Sequence, residues 1–444
     1  MSTNLFDQFD SVSYDNWVEK IKQDLKGKPL SVLVSRPEPD LEIKAYHHSA
    51  NIPKSNSDHL IRNRKNNDWL IRQIYSASTS NKKLLDDLNN GINNIGINWT
   101  KQNDFDELSK NVLFEHIQSD VQFKSLNDAL AAQVPANSIV AFDPIALHAH
   151  KGKAGIKMGD FVEFYKNYKN QNSVWVSGYI YGDAGGSTTQ ELAFTIAHLN
   201  EYLHALTEEG FSVKEILPKI TIELSVNENY LVNIAKFRVI QNLCKLLLEG
   251  YDYKADDTEI RIYAKTASRY LALNDNHNNP LRQTTQAMSA VIGGCHSLTI
   301  TNRTTGNEKI DNRFDRLARN TQLILKEESY LDKVIDPAAG SYFLEHLSAE
   351  LVTKSWDLFL ATENEGGLMT GLASNLIQDQ IESNRSALIR SLNNGDKTFL
   401  GVNKHPNGTD EWIKPKAAVT KINDFKALEA FYLENYLHEK GNDE

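Results

Sequence analysis

Cysteine is almost missing from this chain. Cys244 and Cys295 are the only two among 444 residues, which excludes a disulfide framework and any cysteine-based zinc spacing. Both read as small buried residues. Long apolar runs are missing too. No stretch reaches the roughly 20 residues that span a bilayer, and residues 1–10 hold no basic segment ahead of an apolar one. Together these absences predict a cytoplasmic protein. Basic charge is not in surplus: 48 Lys and Arg face 58 Asp and Glu, a net charge of −10. That balance argues against a general binder of nucleic acid or of an anionic membrane surface, while a phosphate-bearing ligand needs only a local basic patch. No GxGxxG opens a helix after the first strand, no Walker A lysine follows a glycine run, and no period of 20–50 residues repeats.

What the chain does have is material for a large core, with 40% hydrophobic residues, and a length that suits one large domain with appendages. Residues 1–66 read as an arm. Trp17, Ile21 and Leu25 share a helix face over 14–25. Lys26-Gly27-Lys28-Pro29 stops that helix, and short strands are expected at 30–34 and 41–46, around Pro37, Glu38 and Pro39. So small a segment buries little apolar surface alone and must lie on the body or on a partner. From residue 67 strands and helices alternate. The strand candidates are 69–75, 96–99, 112–117, 138–142, 174–178, 219–224, 259–264 and 297–301; helices at 80–89, 126–133, 160–170, 230–249, 281–292 and 313–328 lie between or after them. This alternation means parallel βα units. Eight of them match a (β/α)8 TIM barrel, which takes about 250 residues; an open doubly wound sheet is the competitor. The reading is an α/β chain in three parts: the arm 1–66, a TIM barrel over 67–365 that includes a helix at 342–363, and a short helical C-terminal tail over 366–444, with helices at 366–394 and 424–438.

Several segments together resemble the methylmalonyl-CoA mutase family. They are Trp69-Leu70-Ile71-Arg72-Gln73, Ser177-Gly178-Tyr179, Asp183-Ala184-Gly185, Ile234-Ala235-Lys236-Phe237-Arg238 and Ile292-Gly293-Gly294-Cys295-His296-Ser297-Leu298. The longest runs from Arg316-Leu317-Ala318-Arg319-Asn320 to Lys326-Glu327-Glu328, and Asp336-Pro337-Ala338-Ala339-Gly340-Ser341-Tyr342 and Gly401-Val402-Asn403-Lys404 follow. Asp24-Leu25-Lys26-Gly27-Lys28 extends the likeness into the arm. The resemblance implies a barrel through whose axis an acyl-CoA threads, with adenosylcobalamin across the C-terminal mouth and a separate flavodoxin-type cobalamin domain. It implies interconversion of (R)-methylmalonyl-CoA and succinyl-CoA by radical chemistry that the cofactor supplies.

Against that pattern, three active-site positions lose their chemistry, and a fourth change adds a charge. Catalytic chains of the family read Arg-Thr-His-Cys-Gln-Thr-Ser-Gly-Trp on one strand; here it is Arg261-Ile262-Tyr263-Ala264-Lys265-Thr266-Ala267-Ser268-Arg269. Tyr263 replaces a histidine that would hydrogen-bond the thioester carbonyl, and Lys265 places a charge where a glutamine stood. The family's tyrosine after Ile-Arg-Gln is Ile74 here, and Tyr75 comes one residue late, on the opposite strand face. Gly182 stands where a glutamine is expected. The cobalamin signature Asp-x-His-x-x-Gly has only Asp275-Asn276-His277-Asn278-Asn279-Pro280 as a partial match, read as an ordinary loop, and too few residues follow Lys404 for a flavodoxin-type domain. The resemblance therefore implies a small, non-catalytic subunit with no cobalamin-binding domain. No catalytic, cofactor-binding or metal-binding residue is assigned to it. Its partner would be a large catalytic subunit carrying the adenosylcobalamin. The alternative is a catalytic barrel that uses a separate small cobalamin-binding subunit. The first reading predicts that large side chains such as Tyr263 refill the interior, because an empty tunnel loses packing.

Other features have plainer readings. His148 and His150 are taken as a strand-end or loop pair rather than metal ligands. Gly182, Gly185 and Gly186, and the pair Gly293-Gly294, read as tight βα turns at the barrel mouth. Ser187-Thr188-Thr189 with Glu191 reads as a helix cap with an early acid. Arg316 and Arg319 with Glu327 and Glu328 read as surface ion pairs. Trp17 is expected to anchor either a partner or the arm on its own barrel.

Overall fold

The computed structural model describes residues 12–48, 64–76, 78–254, 260–303, 308–406 and 422–437. Its centre is one sheet of eight parallel strands: β1 (Leu70–Tyr75), β2 (Asn94–Asn98), β3 (Gln118–Phe123), β4 (Ile139–Phe142), β5 (Val174–Val176), β6 (Ile220–Val226), β7 (Arg261–Thr266) and β8 (Ser297–Thr299). They are hydrogen-bonded in the order β4-β3-β2-β1-β8-β7-β6-β5. Val140 N–H donates to the Asn172 carbonyl at 2.9 Å across the remaining seam, so the sheet is a near-closed TIM-type barrel and not an open one.

The strands follow the two-residue period of a pleated chain. In β6, Ile220, Ile222, Leu224 and Val226 join the outer core under the helices. The alternate Thr221, Glu223 and Ser225 face the interior. In β1, Ile71 and Tyr75 pack outward with Ile95, Ile97 and Leu84, which leaves Arg72 inside. The outer layer is made by long, mostly apolar helices such as Thr188–Glu208, Tyr230–Glu249 and Tyr342–Asn364.

Several expectations need correction. The strand placed at 112–117 is instead a short 3-10 turn, Phe114–His116, and β3 starts at Gln118. Val112, Phe114 and Ile117 pack beside the outer core and Leu113 is exposed, while β3 carries inward polar groups that hide its strand character. Residues 30–34 hold a 3-10 turn, Leu30–Leu33, not a strand, and the arm's hairpin is Ser35–Glu38 with Leu41–Ile43. His148 and His150 lie within the helix Pro144–Lys151, capped by Asp143 with proline in its first turn. Gly293 and Gly294 precede β8 and so lie at the opposite end from the mouth; Gly293 caps a helix, and a Cβ there would sit 2.7 Å from Phe237 Cβ. Arg319 is not a surface group: it is buried and pairs with Asp87 at 2.7 Å. The tail has helices at Gly367–Ala373 and Leu376–Asn393, but the helix expected at 424–438 is an extended segment with one 3-10 turn, Leu433–Tyr436; residue 438 lies outside the described residues. Its N–H groups at Asp424, Phe425, Leu428, Phe431 and Leu433 donate to barrel carbonyls at Gly152, Ala149, Asp183 and Arg269.

The arm is fixed by polar contacts. Glu38 is buried and accepts from Thr188 N–H at 2.7 Å and Thr188 Oγ1 at 2.9 Å, at the start of the helix Thr188–Glu208. An acid at a helix N-terminus is favoured by the exposed N–H groups and the macrodipole. Ser187 caps the same helix in a box with Gln190, and Leu41 is wholly buried. Trp17 is half-buried; it stacks on Tyr46 at 4.5 Å and lies 6.2 Å from Tyr14, both in the arm. Among the described residues no helix is long and apolar enough to cross a membrane.

Candidate ligand site at the barrel mouth

The middle of the barrel is filled. Arg72 reaches inward from β1 and makes a two-pronged pair with Asp120 on β3, both contacts at 2.7 Å. It also reaches Glu223 on β6 at 2.8 Å and Thr299 on β8 at 3.0 Å. β3 and β6 lie on opposite sides of the barrel order, so one guanidinium spans the interior. Trp175 and Tyr263 complete this layer: the guanidinium carbon lies 5.6 Å and 5.5 Å from their rings, and the rings meet edge to face at 5.4 Å. Both aromatics are buried with Ile139 and Ala141. Burial works against the Arg72 charge, but Asp120 and Glu223 outweigh it and its pKa is raised. Desolvation, then the Asp120 charge, pushes the Tyr263 hydroxyl upward, so it stays neutral. Gly96 on β2 lets the arginine pass, since a Cβ there would sit 2.8 Å from an Arg72 nitrogen.

At the other two divergent positions, Ile74 is half-buried and Gly182 is boxed in by its neighbours. Tyr75 points outward, its hydroxyl 3.2 Å from Asp87 on the helix Asn81–Asn89, as the one-residue shift predicted. A Cβ on Gly182 would meet Ser225 Oγ at 2.3 Å and Glu191 Oε2 at 2.6 Å. Glu191 is no solvated cap acid; it is buried, pairs with Lys236 at 2.9 Å and accepts from Ser225 N–H and Oγ. A buried carboxylate and the Ser225 hydroxyl thus hold the space where a longer side chain at 182 would go.

Above the filled layer, at the C-terminal ends of the strands, lies a cavity of about 440 Å³, within the usual range for small-molecule sites. Trp175, Phe123 and Tyr179 give it aromatic walls, and Lys265 gives it a cation; Lys124 and Lys151 are on its border. Asp143 and Asp183 line it as well, but their oxygens are engaged. Asp143 accepts from Ala146 N–H, Ser177 N–H and Tyr202 Oη, and His198 Nε2 lies 3.0 Å away. Burial alone would raise its pKa; His198 and Tyr202 more than reverse that, and the carboxyl is held low. Asp183 accepts from Ser268 N–H at 3.0 Å, and burial pushes it up.

The tail forms the roof. Leu428 N–H donates to the Ala149 carbonyl, Phe431 N–H to Asp183, and Leu433 N–H to Arg269. Glu434 is buried and accepts from Leu273 N–H, Asn274 N–H and Nδ2, and Arg303 Nη1 at 2.6 Å. The chain between these anchors crosses the mouth, and Leu428 and Ala430 face the cavity. Sequence reading missed this strap and the Arg72 bridge. Arg72 stood in a recognised motif, and its signal was a charge in mid-strand on the inward side; the strap's apolar spacing read as a helix. His148 and His150 are not brought together on a ligand: their Nδ1 atoms face the carbonyls of Lys153 and Leu428 respectively. Among the described residues no group of three or more His, Cys, Asp or Glu is placed to hold a metal ion.

The methylmalonyl-CoA mutase family model matches residues 152–440. The chain belongs to the methylmalonyl-CoA mutase family. It is similar to a methylmalonyl-CoA mutase small subunit of Porphyromonas gingivalis, 30% identical with 91% of this chain and 72% of that protein covered. It is also similar to a methylmalonyl-CoA mutase of Cereibacter sphaeroides (33% identical over 56% of this chain) and to a methylmalonyl-CoA mutase large subunit of Streptomyces virginiae (31% over 54%). The matched region spans about a third of the length of these last two, 35% and 33%. The described mouth does not fit the adenosylcobalamin that the family resemblance implies: the strap crosses it, and the roofed cavity is far smaller than a corrin. Asp275 and His277 offer no substitute. His277 sits in a 3-10 turn ahead of the helix Asn279–Ile292, and Asp275 faces Asn278, Arg282 and Gly401.

Proposed function

We propose that this chain is the non-catalytic small subunit of an adenosylcobalamin-dependent methylmalonyl-CoA mutase. It works in the cytoplasm, paired as a heterodimer with a large catalytic subunit that interconverts (R)-methylmalonyl-CoA and succinyl-CoA in propionate metabolism. The cofactor belongs to that partner. The observation that carries this reading is the Arg72–Trp175–Tyr263 layer, which fills the axis where an acyl-CoA would have to thread and replaces the histidine of catalytic chains. The similarity to a protein named as a small subunit supports it. The barrel's value to the complex is then mechanical: a rigid body with a filled axis that the partner leans on.

The test is reconstitution. The chain is co-expressed with a full-length large subunit and mutase turnover is followed. Replacing the large subunit's barrel histidine should abolish turnover, while Tyr263→Phe in this chain should leave it unchanged. Turnover that survives loss of the large subunit's histidine would contradict the proposal.

A further inference from the structure

Lys265 is the half-buried cation of the mouth cavity, whereas Lys124 and Lys151 are exposed at its border. Lys265 projects from β7 beneath the strap, and its Nζ lies 4.0 Å from the centre of the Tyr179 ring. Among the described residues it makes no hydrogen bond and no ion pair. A ring face attracts an ammonium but leaves N–H groups unsatisfied. Burial disfavours the charge, yet Tyr179, Glu223 and Asp183 together keep the pKa raised, so the group is cationic at neutral pH. The two aspartates on the wall already hold donors, as described above. An ammonium that opens into an aromatic-walled cavity with no acceptor among the described residues can take an anionic partner there.

We propose that this cavity binds a small organic carboxylate, its oxygens on the Lys265 ammonium and its short apolar body against Trp175, Phe123 and Leu428. The volume of about 440 Å³ suits a compact acid and not a nucleotide-bearing one. The filled layer below sets the depth, and the strap sets the ceiling. The site is a property of this chain's own barrel and does not depend on the subunit reading.

The experiment is calorimetric titration of the full-length protein, with whatever subunit copurifies, using butyrate, benzoate and the neutral isostere butyramide as probes. The two acids should bind saturably with Kd of about 1 mM or tighter, and the amide at least tenfold more weakly. Lys265→Met should weaken the acids about ten- to hundredfold, the range for a lost hydrogen bond to a charged group. Lys265→Gln, which keeps a polar head, checks the same point if the methionine variant folds poorly. No saturable heat with either acid, equal binding of acid and amide, or unchanged binding in both variants would overturn the proposal.

Discussion

Arg72→Met is the sharpest test of how the barrel is held. The substitution keeps roughly the length and loses the cation. It removes three charge-assisted contacts at 2.7–2.8 Å and one to Thr299. These contacts are not additive, but taking one partner out of a buried pair leaves an uncompensated charge and costs about 3–5 kcal/mol. Here two carboxylates, Asp120 and Glu223, would share one interior, so the upper half of that range is expected. At about 2 °C per kcal/mol for a large body, melting should drop by roughly 8 °C. Urea unfolding followed by far-UV circular dichroism measures the deficit. The triple variant Arg72→Met, Asp120→Asn, Glu223→Gln should recover most of the loss. A deficit under about 1 kcal/mol, not changed by the triple variant, would refute the idea that this bridge organises the interior.

Two further outcomes follow from the geometry. Tyr263→Ala should destabilise by about 3–5 kcal/mol, as for other large aromatics cut from a core, whereas Tyr263→Phe should cost under about 1 kcal/mol because its hydroxyl has only the 3.3 Å contact from Asn94; denaturant midpoints distinguish the two. Burial pushes the Glu38 carboxyl above its ordinary value, with Arg269 and Thr188 opposing it. Its contribution to arm docking is full below the unfolded carboxylate pKa and lost as pH rises through the raised folded value. Amide exchange over Leu41–Ile43 should therefore quicken between pH 5 and pH 7 beyond the intrinsic base catalysis, and Glu38→Gln should remove that excess.

The alternation of strands and helices made the barrel legible in sequence, because parallel units with apolar outer faces repeat their pattern along the chain. β3 was the strand misplaced, and the reason is physical. Its inward residues, including Asp120, are polar because they serve Arg72, so hydrophobicity alone pointed to the flanking 112–117. The tail was misread for the converse reason. Phe425, Leu428 and Phe431 are spaced closely enough to suggest a helix, yet their backbone groups bond to loops far away in sequence. At the site, Tyr263, Ile74 and Gly182 could be picked out against a family pattern, but what replaced their chemistry could not. The Arg72 bridge, the Glu191–Lys236 pair in the space beside Gly182, and the unsatisfied Lys265 all depend on contacts between strands that no linear pattern records.

The most direct measurement is to purify this chain from its native cell and identify by mass spectrometry what accompanies it. The account predicts a full-length partner with its own barrel histidine and Asp-x-His-x-x-Gly motif, in a fixed ratio to this chain. A small protein with only a cobalamin-binding domain would contradict it and would make this barrel, with Tyr263, the catalytic one.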